Sequence, residues 1–180
     1  MNLKKMFYDV KTPEELMEFM NQYIKYGWIG KDNKIRIACM DDFVEQYRMS
    51  TLEEVFEIGV GICFEQVALE QEFFNRQKIE TKAYCIFTTH MCHAFLMYKN
   101  ENMFYKFEHS SFKSRGIYSY KSENKLLNAE IQSFCIRHHI KNVEKLKVAQ
   151  YDKIKEHSTI KDVEENFKQR ENIIMKILNM

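Results

Sequence analysis

Between Thr12 and Gly27 the apolar residues Leu16, Phe19, Met20, Tyr23 and Ile24 recur at spacings of three and four, the pattern of a helix that buries one face. Thr12-Pro13-Glu14-Glu15 supplies its start: a side-chain cap, a proline at the first helical position and a glutamate three beyond the cap. Gly27 is expected to end the helix, near Tyr26. Ser50-Thr51-Leu52-Glu53 reads as a second capping box, opening a short helix that Gly59 and Gly61 stop. From Cys63 to about Gln77 the chain is rich in helix formers, and Val67, Leu69, Glu70, Phe73 and Phe74 are predicted to be buried.

The pattern then becomes strand-like in three runs, Ala83–Thr88, His93–Tyr98 and Met103–Phe107. Lys99-Asn100-Glu101-Asn102 is the turn between the last two, so the runs predict an antiparallel meander. Earlier, Gly30–Asn33 forms a turn before Ile35-Arg36-Ile37, and a short helix is expected around Asp41–Arg48. Ser122–His138 is helical in composition, Lys145–Tyr151 suits a further strand, and Thr159–Leu178 reads as one charged helix with Val163, Phe167, Ile174 and Ile177 inward. The predicted class is α+β: N-terminal helices packed on an antiparallel sheet, with an additional C-terminal helix. No repeat, linker or low-complexity stretch interrupts the chain, so residues 1–180 are read as one domain.

Composition narrows the partners. Hydrophobic residues make up 45% of the 180, including 14 Phe and 10 Tyr, which predicts a folded core. The net charge of +1 provides no basic field for a nucleic-acid backbone. The longest stretch free of formal charge, Ala83–Tyr98, is short and contains threonines and histidines, so no membrane span is expected. The N-terminal residues lack an apolar signal region, and the five cysteines are odd in number and irregularly spaced. Both observations point to a soluble protein of the reducing cytoplasm.

The chemistry concentrates between Gly59 and Glu108. In Gly59-Val60-Gly61-Ile62-Cys63-Phe64-Glu65-Gln66 a cysteine follows a glycine turn and opens a helix, where free N–H groups and the helix dipole favour a thiolate. A nucleophilic thiol needs a proton shuttle, and His93 lies at the start of the second strand run, in Cys92-His93-Ala94-Phe95. In the next run, Phe104-Tyr105-Lys106-Phe107-Glu108 brings a carboxylate to the strand end. A hairpin would lay Glu108 beside His93, to orient the ring and stabilise its cation. The backbone N–H of Cys63 is a candidate oxyanion donor, with Gln46 or Tyr47 as a second.

This arrangement resembles the transglutaminase-like superfamily of cysteine enzymes, in which a Gly-x-Cys helix start is followed by a strand histidine and an acid on the neighbouring strand. The resemblance covers about Ser50–Tyr120. It implies a papain-like core and acyl-thioester chemistry without a cofactor, with Cys63 as nucleophile, His93 as base and Glu108 as acid. Many members carry aspartate where Glu108 stands. Arylamine acetyltransferases share the residue order, but the arginine-glycine context typical before their cysteine is replaced here by Val60-Gly61-Ile62.

Two functions of different class follow. The first is a cysteine-dependent acyl-transfer enzyme acting on a peptide or protein, as a peptide or amide hydrolase or a transglutaminase or deamidase. The second is an inactive peptide- or protein-binding module on the same scaffold. His90, Cys92, His93 and His109 could also suggest zinc, but alternation along a strand separates Cys92 from His93, and no metal is expected. Taken singly, Cys39, Cys85 and Cys135 read as inert core thiols, and His138-His139 as a solvated helix end.

Overall fold

The computed structural model describes residues 2–37, 41–88, 91–174 and 177. Its elements are α1 (Leu3–Asp9), α2 (Pro13–Tyr23), β1 (Gly27–Ile29), β2 (Ile35–Ile37), α3 (Phe43–Gln46), α4 (Leu52–Ile58) and α5 (Cys63–Arg76). These are followed by β3 (Thr81–Phe87), β4 (Cys92–Asn100), β5 (Met103–Glu108), β6 (Gly116–Tyr120), α6 (Glu123–Arg137), β7 (Lys147–Tyr151) and α7 (Ile160–Gln169). The class is α+β, as expected. The larger sheet has the order β6-β5-β4-β3-β7, so the predicted meander is present and β7 pairs with its far side. Every pairing in it is antiparallel, with Cys85 opposite Ala94 and Leu96 opposite Phe107. Among the described residues no helix is long and apolar enough to cross a membrane.

Side-chain alternation gives this sheet two buried faces. Ala83, Cys85, Ala94, Leu96, Tyr98 and Phe107 pack into the cluster that holds Phe64, Val67, Leu69, Phe73 and Phe74 of α5. Tyr84, Ile86, Phe95 and Met97 face the opposite cluster, with Leu126, Leu127, Ile131 and Phe134 of α6. Each large side chain so buried contributes about 1.5–3 kcal/mol. A residue of β4 is therefore committed to one helix or the other by its parity, and that decides where the candidate site residues can point.

Several boundaries differ from those the sequence predicts, each for a hydrogen-bonding reason. Helix α2 stops at Tyr23 because the chain turns extended at Ile24, where Lys25 N–H donates to Gly59 O and the backbone begins to pair with the Gly59–Gly61 turn. Gly27 lies in a strand, and a Cβ there would come within 2.6 Å of Arg36 O. The second capping box is shifted by one residue, to Thr51 and Glu54. Gly59 does end α4, in the left-handed conformation (φ 66°) that glycine adopts without a Cβ penalty. Helix α1 and strands β1 and β6 were not predicted, being short elements whose apolar patterns are too brief to read.

The expected single helix over Thr159–Leu178 is broken. α7 ends at Gln169, and Asn172 then substitutes its side chain for backbone: Oδ1 accepts from Val148 N–H at 2.9 Å and Nδ2 donates to Leu146 O at 3.3 Å. Val163 and Phe167 consequently pack on the α5 side of the sheet, whereas Ile174 and Ile177 pack on the α6 side. The chain passes around the β7 edge between them.

Candidate active site

Cys63 is the first residue of α5, and Ile62 at the cap position has no side-chain acceptor to offer the helix start. Glu65 takes that place instead. Its Oε2 accepts from Ile62 N–H at 3.1 Å, while Oε1 accepts from Ser50 N–H at 3.1 Å and Tyr47 O–H at 2.9 Å. Burial raises the Glu65 carboxyl to about 7 against these donors. The anion site at the head of α5 is thus occupied by a side chain from within the helix.

This reverses the expectation of a preformed thiolate. The Cys63 side chain is buried, with 3% of the residue exposed. The Cys92 thiol beside it, its burial and the Glu65 charge push the Cys63 thiol well above its ordinary range, opposed only by the Ala94 N–H. Two anions cannot share one helix start cheaply, so the proton stays on sulfur. Sequence reasoning counted the dipole but not Glu65, although Glu65 stands two residues downstream.

His93 lies near the start of β4, where its parity matches Phe95 and Met97, and its ring stacks on Phe95 with centroids 6.2 Å apart. Nε2 lies 2.7 Å from Glu108 Oε2. The other Glu108 oxygen accepts from Ser110 O–H at 3.0 Å and Ser111 N–H at 2.9 Å. Burial opposes ionisation of Glu108, but His93, Lys106 and the Ser111 N–H outweigh it and bring the carboxyl down to about 2. Glu108 is therefore an anion fixed on three sides, and its length suits the ring.

His93 and Glu108 are thus brought together directly. The Cys63 thiol lies on the other, α5 face of β4, beside the Cys92 side chain and the Ala94 N–H, whereas His93 points to the α6 face, so the expected approach of His93 to the sulfur is not seen. With Nε2 engaged by Glu108, Nδ1 is the ring nitrogen left for a second partner. A cavity of about 680 Å³ opens at His93 and Cys92, with Ser110, Ser111, Arg115 and Arg137 among its walls. Cys63 lies beneath Cys92 and is not part of that wall.

The expected oxyanion donors fare differently from one another. Tyr47 is wholly buried, and its hydroxyl hydrogen is committed to Glu65. Gln46 is half-buried, its backbone carbonyl accepting from Lys31 N–H at 2.9 Å. Neither lines the cavity at His93.

Glu130 and the contact of His109 with Gln66 were not foreseen from the sequence. Glu130 of α6 places Oε1 3.8 Å from His93 Nε2, and it is paired with the buried Lys106 and with Arg137 at 2.8 Å. His109 faces α5, with Nδ1 2.7 Å from Gln66 Oε1, and Gln66 in turn donates to Gly61 O at 2.7 Å. Since that amide oxygen can only accept, Nδ1 carries the hydrogen, and burial keeps His109 neutral by lowering it to about 3. The adjacency Glu108-His109 could have suggested that two parities serve two faces. Nothing in the sequence pointed to Glu130.

The residues considered for zinc do not converge. Cys92 sits on the α5 side with Ala94, His93 on the α6 side, and His90 lies outside the described residues. His93, Glu108 and Glu130 do bring three donor atoms within 4.8 Å of one another. Lys106 and Arg137 already neutralise Glu130, so this donor set is poorly suited to a divalent ion.

Comparison with protein-family models and with curated proteins finds no match for the chain.

Proposed function

We propose that the chain is a cysteine-dependent acyl-transfer enzyme on a papain-like, transglutaminase-like core, with Cys63 as nucleophile, His93 as general base and acid, and Glu108 as the group that orients His93. The observation that carries this reading is the buried 2.7 Å contact between His93 Nε2 and Glu108 Oε2, on the strand whose opposite face touches the Cys63 thiol.

Because the thiol rests protonated and His93 lies across β4 from it, the reaction requires the start of β4 to turn His93 toward the sulfur, and His93 then acts as a true base. Nδ1 takes the proton as sulfur attacks the substrate carbonyl carbon, and the carbonyl π pair moves to oxygen. Collapse re-forms the carbonyl and expels the amine, which leaves with the proton from His93, giving a thioester on Cys63. Water or an amine, deprotonated by His93, then attacks the thioester carbon and releases the thiol. The Cys63 backbone N–H at the head of α5 is the proposed oxyanion donor. A peptide or protein amide is the proposed substrate, and the reducing cytoplasm the proposed location.

The alternative, a peptide- or protein-binding module without activity, draws support from two observations: Cys63 is buried with its thiol pushed up, and its sulfur and the His93 ring lie on opposite faces of β4. Acylation separates the two. An activated ester such as p-nitrophenyl acetate is expected to add one acetyl group, mapped by peptide mass spectrometry to Cys63, with the rate falling at least 100-fold in His93→Ala. Acetylation confined to Cys92, or a Cys63 adduct formed equally fast without His93, would rule the enzyme out.

A further inference from the structure

The walls of the cavity at His93 include Lys25, Arg115 and Arg137, together with His93 and His138, and among the described residues no aspartate or glutamate. In a chain whose net charge is only +1 this is a local concentration of positive charge, and the question is which of these cations are already neutralised. Arg137 is: Nη2 donates to Glu130 Oε1 at 2.8 Å, and Nη1 donates to the Ser111 and Ser114 hydroxyls.

Arg115 is different. Its guanidinium donates from Nε to His109 O at 2.8 Å and from Nη1 to Asn21 Oδ1 at 2.9 Å, two neutral acceptors. Glu108 is near enough to act on it electrostatically, but the Glu108 oxygens are engaged by His93, Ser110 and Ser111. Among the described residues its hydrogen-bond partners are thus neutral groups, and no carboxylate is paired with it directly. Lys25, exposed on the same cavity, adds a second positive charge with a flexible stem. Two apolar side chains left in solvent, Phe112 at 85% and Ile37 at 55% exposed, complete the wall.

We propose that this cavity binds an anionic group of the substrate, a carboxylate or phosphate, with Arg115 as its principal partner and Lys25 as a second. The proposal rests on the acyl-transfer reading for the word substrate, whereas the anion site itself stands on the cavity walls alone. Arg115 supplies fixed N–H donors, Lys25 a mobile charge, and Phe112 and Ile37 cover the apolar stem that joins the anion to the acyl group.

Titration calorimetry of the intact protein at low ionic strength, with inorganic phosphate and separately with succinate, tests this. Saturable binding of at least one probe is expected, weakened about tenfold by Arg115→Gln and less by Lys25→Gln. Phosphate alone assigns a phosphoryl ligand and succinate alone a carboxylate, and either result supports the site. Since Arg115 also braces the His109 carbonyl, Lys25→Glu serves as the variant on an exposed residue, and it too is expected to weaken binding. Cys63→Ala is expected to bind both probes as the wild type does. If anion binding persists while Cys63 cannot be acylated, the anion site stands and the enzymatic reading falls. Absence of saturable binding, or affinities unchanged in both Lys25→Glu and Arg115→Gln, overturns the site whatever the acylation result.

Discussion

Glu130 stands 3.8 Å from the same His93 nitrogen that Glu108 holds at 2.7 Å. The two carboxylates come from different layers, a helix and a strand end, and Lys106 lies between them, paired with Glu130 and 4.0 Å from Glu108. His93 is therefore the outermost member of a buried charged group whose stability depends on every partner being present.

Removing one member should cost more than the pair contributes, because a buried charge is left unmatched. Glu130→Gln strands Lys106, which is only 4% exposed, and is expected to lower unfolding free energy by about 3 kcal/mol in urea titrations. Lys106→Met leaves Glu130 with Arg137 and is expected to cost clearly less. Equal losses in the two variants would show that the group is not electrostatically coupled.

Glu108→Asp tests whether the reach of the acid matters. Shortening the side chain by one methylene withdraws the carboxylate by about 1.5 Å, beyond hydrogen-bond distance of Nε2 if the backbone holds still. Acylation of Cys63 is expected to slow by about 100-fold. An undiminished rate would remove Glu108 from its orienting role.

His109 should govern acid stability. Its folded pKa of about 3 lies below its ordinary value of 6.5, so between those values the unfolded chain binds more protons than the native one. The stabilisation is therefore complete above about pH 6.5 and is lost as pH falls toward 3, with a total on the order of 4 kcal/mol. Unfolding titrations across that window should show a shallower pH dependence in His109→Gln. Lowering of Glu108 to about 2 acts in the same direction but over a lower range, from 4.5 downward, which separates the two groups.

Asn172 ties the C-terminal segment to the β7 edge through Val148 N–H and Leu146 O. Asn172→Ala is expected to cost about 1–2 kcal/mol, and to deprotect the Val148 amide in hydrogen exchange. Unchanged exchange at Val148 would show that the side chain does not hold that edge.

Much of this was legible beforehand. The helix that opens at Cys63, the three strand runs and the facing of His93 to Glu108 all follow from local spacing, since a short hairpin leaves few registers for two adjacent strands. The break at Asn172 was not legible, because the apolar periodicity from Val163 to Ile177 is the same whether its two halves pack on one face of a sheet or on opposite faces. The state of the thiol was misjudged for a related reason. A helix start favours a negative charge, but which side chain provides it depends on whether Glu65 folds back over Ile62.

By itself, then, the chain determined most of its longer elements and the pairing of His93 with Glu108, because hydrogen-bonding periods and turn chemistry act over a few residues. Only the tertiary structure decided that Cys63 lies under Cys92 with its proton retained and across β4 from His93, that Glu130 joins His93 from another layer, and that Arg115 faces a cavity with neutral hydrogen-bond partners. Those outcomes depend on desolvation and on electrostatic contacts between segments far apart in the chain, and neither is defined until the layers have packed.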